Sequence, residues 1–304
     1  MASTVTITEV LEPPAFGIGR TSALFVDEQR PDRYIGLDCW YPTDPSNEAP
    51  PSFYELLPGI GFTAQARSEG SVVGAPPVIL FSHGQSGNRL IYSQLCEALA
   101  ARGTVVIALD HPGDTMADWI FGLQVDTATN QANRIADLAA VVDAVVEGRL
   151  FSDIVPTAAP IHLAGHSYGA FTAFSVAGGR HREAVASVIG LQPHLVPVDR
   201  GTLAAISAPT LIIAGAEDTS TPIAVDVHPA VDHMVAPVTL HVLADVGHQG
   251  CSDLGLFVEV APQLTDLPDV VGDFLSGMQE GVAGLGEWRA TLLTHVDLIS
   301  RHLA

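Results

Sequence analysis

Ser167 stands between Gly165 and Gly169 in "IHLAGHSYGAF", where an apolar run leads into a serine flanked by glycines and then into small residues suited to a helix. A serine hydroxyl is a poor nucleophile at neutral pH. It becomes a good one when a neutral imidazole takes its proton and a carboxylate fixes that ring's tautomer. Residues able to do this follow later apolar runs: Asp218 after "LIIAGAE" and His248 after "HVLADVG". The oxyanion formed on attack needs two aligned backbone N–H groups, one from the residue after the nucleophile and one from a loop after an earlier run. Tyr168 takes the first place and Gln85, in "FSHGQSG", the second, with Gly84 and Gly87 leaving room for close approach. Such chemistry requires neither a metal nor a cofactor.

Each of these residues has a plainer alternative. With 28 glycines in 304 residues, a Gly-x-Ser-x-Gly pentapeptide proves little alone, and Ser167 could sit in an ordinary turn between a strand and a helix. The context of strand, tight turn and helix is what raises it. Asp245 competes with Asp218, but it precedes the turn in the same run as His248 and would have to fold back. His83 and His166 flank the oxyanion donors, where support of a loop is the alternative to a chemical role. His162 and His166 have the i, i+4 spacing of a helical metal pair, yet they lie across a strand and a turn, so no metal site is expected.

Six apolar runs carry or precede these groups: "PVILFSHG", "TVVIALD", "PIHLAG", "AVASVIGL", "PTLIIAG" and "VTLHVLA". They alternate with helical segments, notably 90–102 and 131–146. Strands apolar on both faces and spaced by helices predict an α/β fold with a mostly parallel, doubly wound sheet and helices on both faces. In such sheets active groups gather at the C-terminal ends of the strands. Residues 21–26 and 34–41, joined by "DEQRPDR", predict an N-terminal antiparallel hairpin. Residues 43–75 read as loop with one short helix. A single domain over 1–304 is expected, with 112–133 and 250–288 long enough to form lids.

Those two segments supply Trp119, Phe121, Leu254 and Phe257 as expected substrate-binding residues, with Ile120 and Leu256 beside them. No Arg stands close in sequence to Ser167 or His248, so a neutral acyl group is expected there. Hydrophobic content of 47% with 15% charged residues fits a globular enzyme rather than a disordered chain. A net charge of -21 and the lack of any lysine argue against nucleic acid or an anionic membrane as partner. The start "MASTVTITEVLEPP" lacks the basic and apolar segments of a secretory signal, and no run reaches the ~20 apolar residues of a membrane span. Cys39, Cys96 and Cys251 are too few and scattered for a disulfide framework, so a cytoplasmic location is expected.

The stretches "PVILFSHGQSGNRLIYSQLCEALAARGTVVIALDHPGD" and "GHSYGA" resemble the platelet-activating-factor acetylhydrolase group and the related predicted dienelactone hydrolases of the α/β-hydrolase superfamily, and "VGHQGCSDL" is similar too. The resemblance spans about residues 20–304. It implies the α/β-hydrolase fold, with Ser167 as nucleophile, His248 as base, and Gln85 and Tyr168 as oxyanion donors. The chain departs from the animal acetylhydrolases after the strand that follows the nucleophile helix. Their acid lies there, whereas "VIGLQPHLVP" offers Gln192 and no carboxylate. The Gly-x-x-Asp form of "GAEDTSTP", seen in other α/β-hydrolases, supports Asp218 instead. The cysteine nucleophile of true dienelactone hydrolases is also missing. The expectation is a serine hydrolase that cleaves a small-molecule carboxylic ester with a neutral, short-to-medium acyl group through an acyl-enzyme. An amidase or peptidase with the same triad, and a non-catalytic binding protein on this fold, are the alternatives.

Overall fold

The computed structural model describes residues 3–7, 14–57, 60–260, 263 and 287–304. Its first part is built from strands whose apolar residues alternate: β1 (Ser3–Thr6), β2 (Gly17–Asp27), β3 (Arg30–Thr43), β4 (Pro51–Leu57) and β5 (Ile60–Arg67). β2 and β3 pair antiparallel across Glu28 and Gln29, so the hairpin exists and runs further at both ends than the sequence suggests. Residues 43–75 differ from the expected loop, since they hold β4 and β5 paired antiparallel. Phe62, Ala64 and Ala66 enter the core at every second position and Tyr54 stacks on Phe62 with ring centroids 4.9 Å apart. Prolines and glycines around this short alternation mask it in the sequence.

All six apolar runs form strands: β6 (Val78–Ser82), β7 (Val105–Leu109), β8 (Ile161–His166), β9 (Val185–Leu191), β10 (Thr210–Gly215) and β11 (Val238–Leu243). Among the described residues they complete an eleven-stranded sheet of order β1-β5-β2-β3-β7-β6-β8-β9-β10-β11, with β4 on β5. The pairs from β7 to β11 are parallel. Helices α1 (Ser93–Ala101), α2 (Met116–Phe121), α3 (Thr127–Val146), α4 (Tyr168–Ala177), α5 (Arg200–Ala205), α6 (Ile223–Asp226), α7 (His228–Val231), α8 (Leu254–Val260) and α9 (Trp288–Leu303) follow in chain order.

Successive side chains of a strand face opposite ways, so a strand covered on both sides must be apolar throughout. Val78 and Leu80 accordingly join one core with Leu138 and Val142 of α3 and Phe171 and Phe174 of α4. Ile79 and Phe81 join the other, with Leu95 and Leu99 of α1 and Leu292 and Val296 of α9. Leu163 and Ala164 of β8 likewise enter opposite cores, so β8 is a central strand covered on both faces, and its C-terminal end is where Ser167 begins. Segment 112–133 contributes α2 and the start of α3. Of segment 250–288, residues 261–262 and 264–286 lie outside the described residues. No helix among the described residues is long and apolar enough to cross a membrane.

Candidate active site

Ser167 occupies a sharp turn from β8 into α4, with φ 53° and ψ -118°, a conformation that costs a residue bearing a Cβ of order 1–3 kcal/mol. Its surroundings hold it there. The Ser167 N–H donates to Leu191 O (3.0 Å), and Ser167 O accepts from the N–H groups of Ala170 and His194, both at 3.0 Å. The flanking glycines are sterically required: a Cβ on Gly165 would lie 2.2 Å from the backbone of Gly169, and one on Gly169 would lie 1.9 Å from Ser82 O.

Three loops bring together Asp218, His248 and the Ser167 hydroxyl. Oγ of Ser167 is 2.9 Å from Nε2 of His248, and Nδ1 of His248 is 2.8 Å from Oδ2 of Asp218. Oδ1 of Asp218 accepts from the N–H groups of Ser220 (2.9 Å) and Thr221 (2.8 Å), and the Thr221 hydroxyl lies 2.7 Å from Oδ2. Burial would raise this carboxyl, but the hydrogen bond and charge of His248 together with the Thr221 donors outweigh it and bring the pKa to about 2. An ionised Asp218 keeps the imidazole proton on Nδ1 and turns the Nε2 lone pair to Ser167. Asp245 is exposed at φ 57° and makes no hydrogen bond to His248. The position after β9 holds Gln192, buried at φ 39°, with Nε2 3.0 Å from Nε2 of His295.

The loop after β6 folds into a turn closed by Gly87 N–H to Gly84 O (3.1 Å). A Cβ on Gly84 would sit 3.4 Å from Cβ of Ser167, so loop and elbow are in contact. The backbone N–H groups of Gln85 and Tyr168 have no acceptor among the described residues, and that of Tyr168 opens α4, at the positive end of its dipole. Residues the sequence reading left aside hold this loop. Arg134 of α3, fully buried, donates to Asp114 Oδ2 (2.6 Å) and to the carbonyl of His83, while Asp114 Oδ1 takes the Ser86 N–H (3.0 Å).

His166 and His83 serve as connectors. Tyr92 Oη accepts from Gly84 N–H (3.1 Å) and lies 2.8 Å from Nδ1 of His166, whose Nε2 lies 2.7 Å from the carbonyl of His248. With the tyrosine proton on Nδ1, the Nε2–H must point to that carbonyl. Burial and the nearby His248 push His166 down to about 3, so it stays neutral in this role. His83 bonds Gly84 O through Nδ1 (2.6 Å) and accepts His111 N–H (3.1 Å). A second Ser-His-Asp chain exists in Ser82, His111 and Asp137, with links of 2.8 and 3.1 Å. Its members are fully buried, and Asp137 is also paired with Arg30 and Arg33, so it is a structural network that no substrate can reach.

A cleft of about 470 Å³ opens on Ser167. It is lined by Gln85, Tyr168 and His248 and, among other residues, by Ile91, Met116, Trp119, His194, Ser220, Thr221 and Gln249. Of the expected substrate-binding residues, Trp119 lines it and the other three do not. Phe121 is 73% exposed at the far end of α2, two residues past Trp119 and so nearly opposite the face that Met116 and Trp119 turn toward the cleft. Leu254 is buried, and Phe257 meets Phe62 edge-on with centroids 6.2 Å apart, because the apolar face of α8 packs into the core. Positional logic could have found His194, which follows β9 as Ser167 follows β8.

A family model described as serine aminopeptidase, S33, matches residues 75–201, which include Ser167 but neither Asp218 nor His248. A Schizosaccharomyces pombe (strain 972 / ATCC 24843) protein described as "Putative phospholipase A2" is 30% identical over 107 residues, 26% of this chain and 24% of that protein; the chain thus matches about a quarter of that relative's length. Among solved structures, a ferulic acid esterase from Streptomyces cinnamoneus superposes with TM-score 0.69 at 21% identity, covering 99% of this chain and 93% of that one. A dienelactone hydrolase from Anabaena variabilis ATCC 29413 gives 0.55 at 15% identity, covering 87% and 97%. A parallel sheet with these crossovers, superposing over nearly the whole chain, establishes that the protein has the α/β-hydrolase fold.

Proposed function

We propose that the protein is a serine hydrolase that cleaves carboxylic esters through an acyl-enzyme, and the observation that carries this is the chain of hydrogen bonds from Ser167 through His248 to Asp218 at the floor of an open cleft. Oγ of Ser167 attacks the ester carbonyl as Nε2 of His248 takes its proton, and Asp218 stabilises the imidazolium. The N–H groups of Gln85 and Tyr168 receive the oxyanion. The intermediate collapses when His248 returns the proton to the departing alkoxide, which leaves an acyl group on Ser167. Water, deprotonated by His248, attacks that group in turn and releases the carboxylic acid.

The solved neighbour named as a ferulic acid esterase supports an ester over an amide, whereas the aminopeptidase model favours a peptide substrate. Ile91, Met116 and Trp119 give the cleft an apolar wall and no arginine among the described residues lines it, which supports a neutral acyl group. Each methylene buried on that wall adds roughly 0.8 kcal/mol, so preference rises over a few carbons and drops once the cleft is full. Three free, buried cysteines support a reducing, cytoplasmic setting.

The decisive experiment pairs p-nitrophenyl esters with p-nitroanilides of the same acyl group, alongside labelling by a fluorophosphonate. Label is expected on Ser167 and not on Ser82, with ester turnover well above amide turnover. Ser167→Ala should lower kcat by roughly 10⁶-fold while leaving circular dichroism unchanged. A folded variant that kept a few per cent of the activity would refute the assignment, and faster anilide cleavage would establish the amidase.

A further inference from the structure

On the β9 side of the nucleophile, His194 is supported much as His248 is. Its Nδ1 lies 2.7 Å from Oδ1 of Asp226, a buried carboxylate that also takes the Leu195 N–H at 3.0 Å. Its own backbone N–H holds the Ser167 carbonyl, and its ring stacks on Tyr168 with centroids 5.7 Å apart and planes 20° apart. With Nδ1–H donating to the carboxylate, Nε2 is the ring nitrogen left to meet a ligand, and in that tautomer it accepts. That nitrogen has no partner among the described residues, and the side chain, 31% exposed, lines the cleft. None of the acyl-transfer steps uses it.

The strand order divides the cleft. β7 and β6 lie on one side of β8, and β9, β10 and β11 on the other. The loops of the first side contribute Ile91, Met116 and Trp119; those of the second contribute His194, Ser220 and Gln249. The large apolar side chains of the cleft therefore all lie on the first side, beside Gln85 and Ser86 of the β6 loop, whereas the second side is polar. Covering an oriented imidazole nitrogen with hydrocarbon would strand an acceptor without a donor, a penalty that a substrate hydroxyl removes.

We propose that His194 determines specificity by accepting a hydrogen bond from a substrate hydroxyl, so that the preferred esters are apolar on the β6 and β7 side and hydroxylated on the β9 to β11 side, with Asp226 as its positioning residue. This rests on the ester-hydrolase reading. The test measures kcat/KM for matched pairs, p-nitrophenyl butyrate against its 3-hydroxy analogue and butyl butyrate against 4-hydroxybutyl butyrate, in the parent, His194→Phe and His194→Gln. The parent should favour the hydroxylated member of at least one pair about tenfold or more, mainly through KM. His194→Phe should bring that ratio to about one, and His194→Gln, whose amide oxygen can accept, should restore part of it. Equal rates for both pairs in the parent, or a ratio unchanged in variants that still label at Ser167, would overturn the proposal. So would preference for an ester of matched size bearing a carboxylate that the same substitutions abolish, since His194 would then act as a cation. Failure of the ester reading would look different: a folded parent that neither labels nor turns over any ester.

Discussion

At the scale of single residues, the proposal of Asp218 over Asp245 as the acid rests on where the backbone lets each carboxylate reach. Asp218 is buried under β10 with two backbone donors and the His248 ring on its oxygens; Asp245 faces solvent at positive φ. Asp218→Asn would put an amide where a carboxylate holds the tautomer, and kcat is expected to fall on the order of 10⁴-fold with KM little changed. Asp245→Asn should stay within about twofold of the parent under the same steady-state assay. The reverse ranking would transfer the acid to Asp245. Residue types alone were an ambiguous guide, because Ser82, His111 and Asp137 form a chain of the same composition. Burial, which no motif encodes, separates a reachable hydroxyl from an enclosed one.

At the scale of elements, the loop that carries His248 is tied to the helix that follows the β6 loop. Asp253 accepts from the Ser93 hydroxyl (2.5 Å) and the Gln94 N–H at the start of α1, and its own N–H donates to Ile91 O (2.7 Å). Burial pushes this carboxyl up to about 7, although the Ser93 and Gln94 donors pull the other way. Its folded pKa therefore lies above its unfolded value near 3.8. The folded chain keeps a proton that the unfolded chain loses, so the group's contribution is complete below about pH 4 and is lost as pH rises through 7. Asp253→Asn removes that titration and keeps an acceptor. Urea unfolding at pH 5 and pH 8 should show the variant gaining on the parent at the higher pH, by up to a few kcal/mol. A difference that did not change with pH would mean that Asp253 is ionised throughout.

At the scale of the whole molecule, the core encloses many neutral imidazoles. Burial holds His111 and His166 at about 3 and His162 and His295 at about 4, and keeps His83 well below its ordinary value. Each folded pKa lies below the unfolded value near 6.5, so the stability these groups contribute is present above that pH and is lost as pH falls toward 4. Thermal melts should show Tm dropping by roughly 10 °C or more between pH 7.5 and pH 5, a larger loss than the proton held by Asp253 can offset. A flat profile across that range would require water or counter-charges at these histidines. The sequence by itself determined the parallel sheet, because strands covered on both faces must be apolar throughout, and it determined the elbow, because only residues without a Cβ fit around Ser167. It also placed Asp218 and His248 at strand ends, where the order of chemistry along the chain follows the order of the strands. Only the tertiary structure decided which residues form the walls of the cleft. That choice depends on helix rotation, which turned Trp119 inward and left Phe121 in solvent, and on packing between distant elements, which drew Leu254 and Phe257 into the core. It also brought His194 and Asp226, thirty-two residues apart, to one side of Ser167, because contacts across a sheet are fixed by strand order and not by distance along the chain.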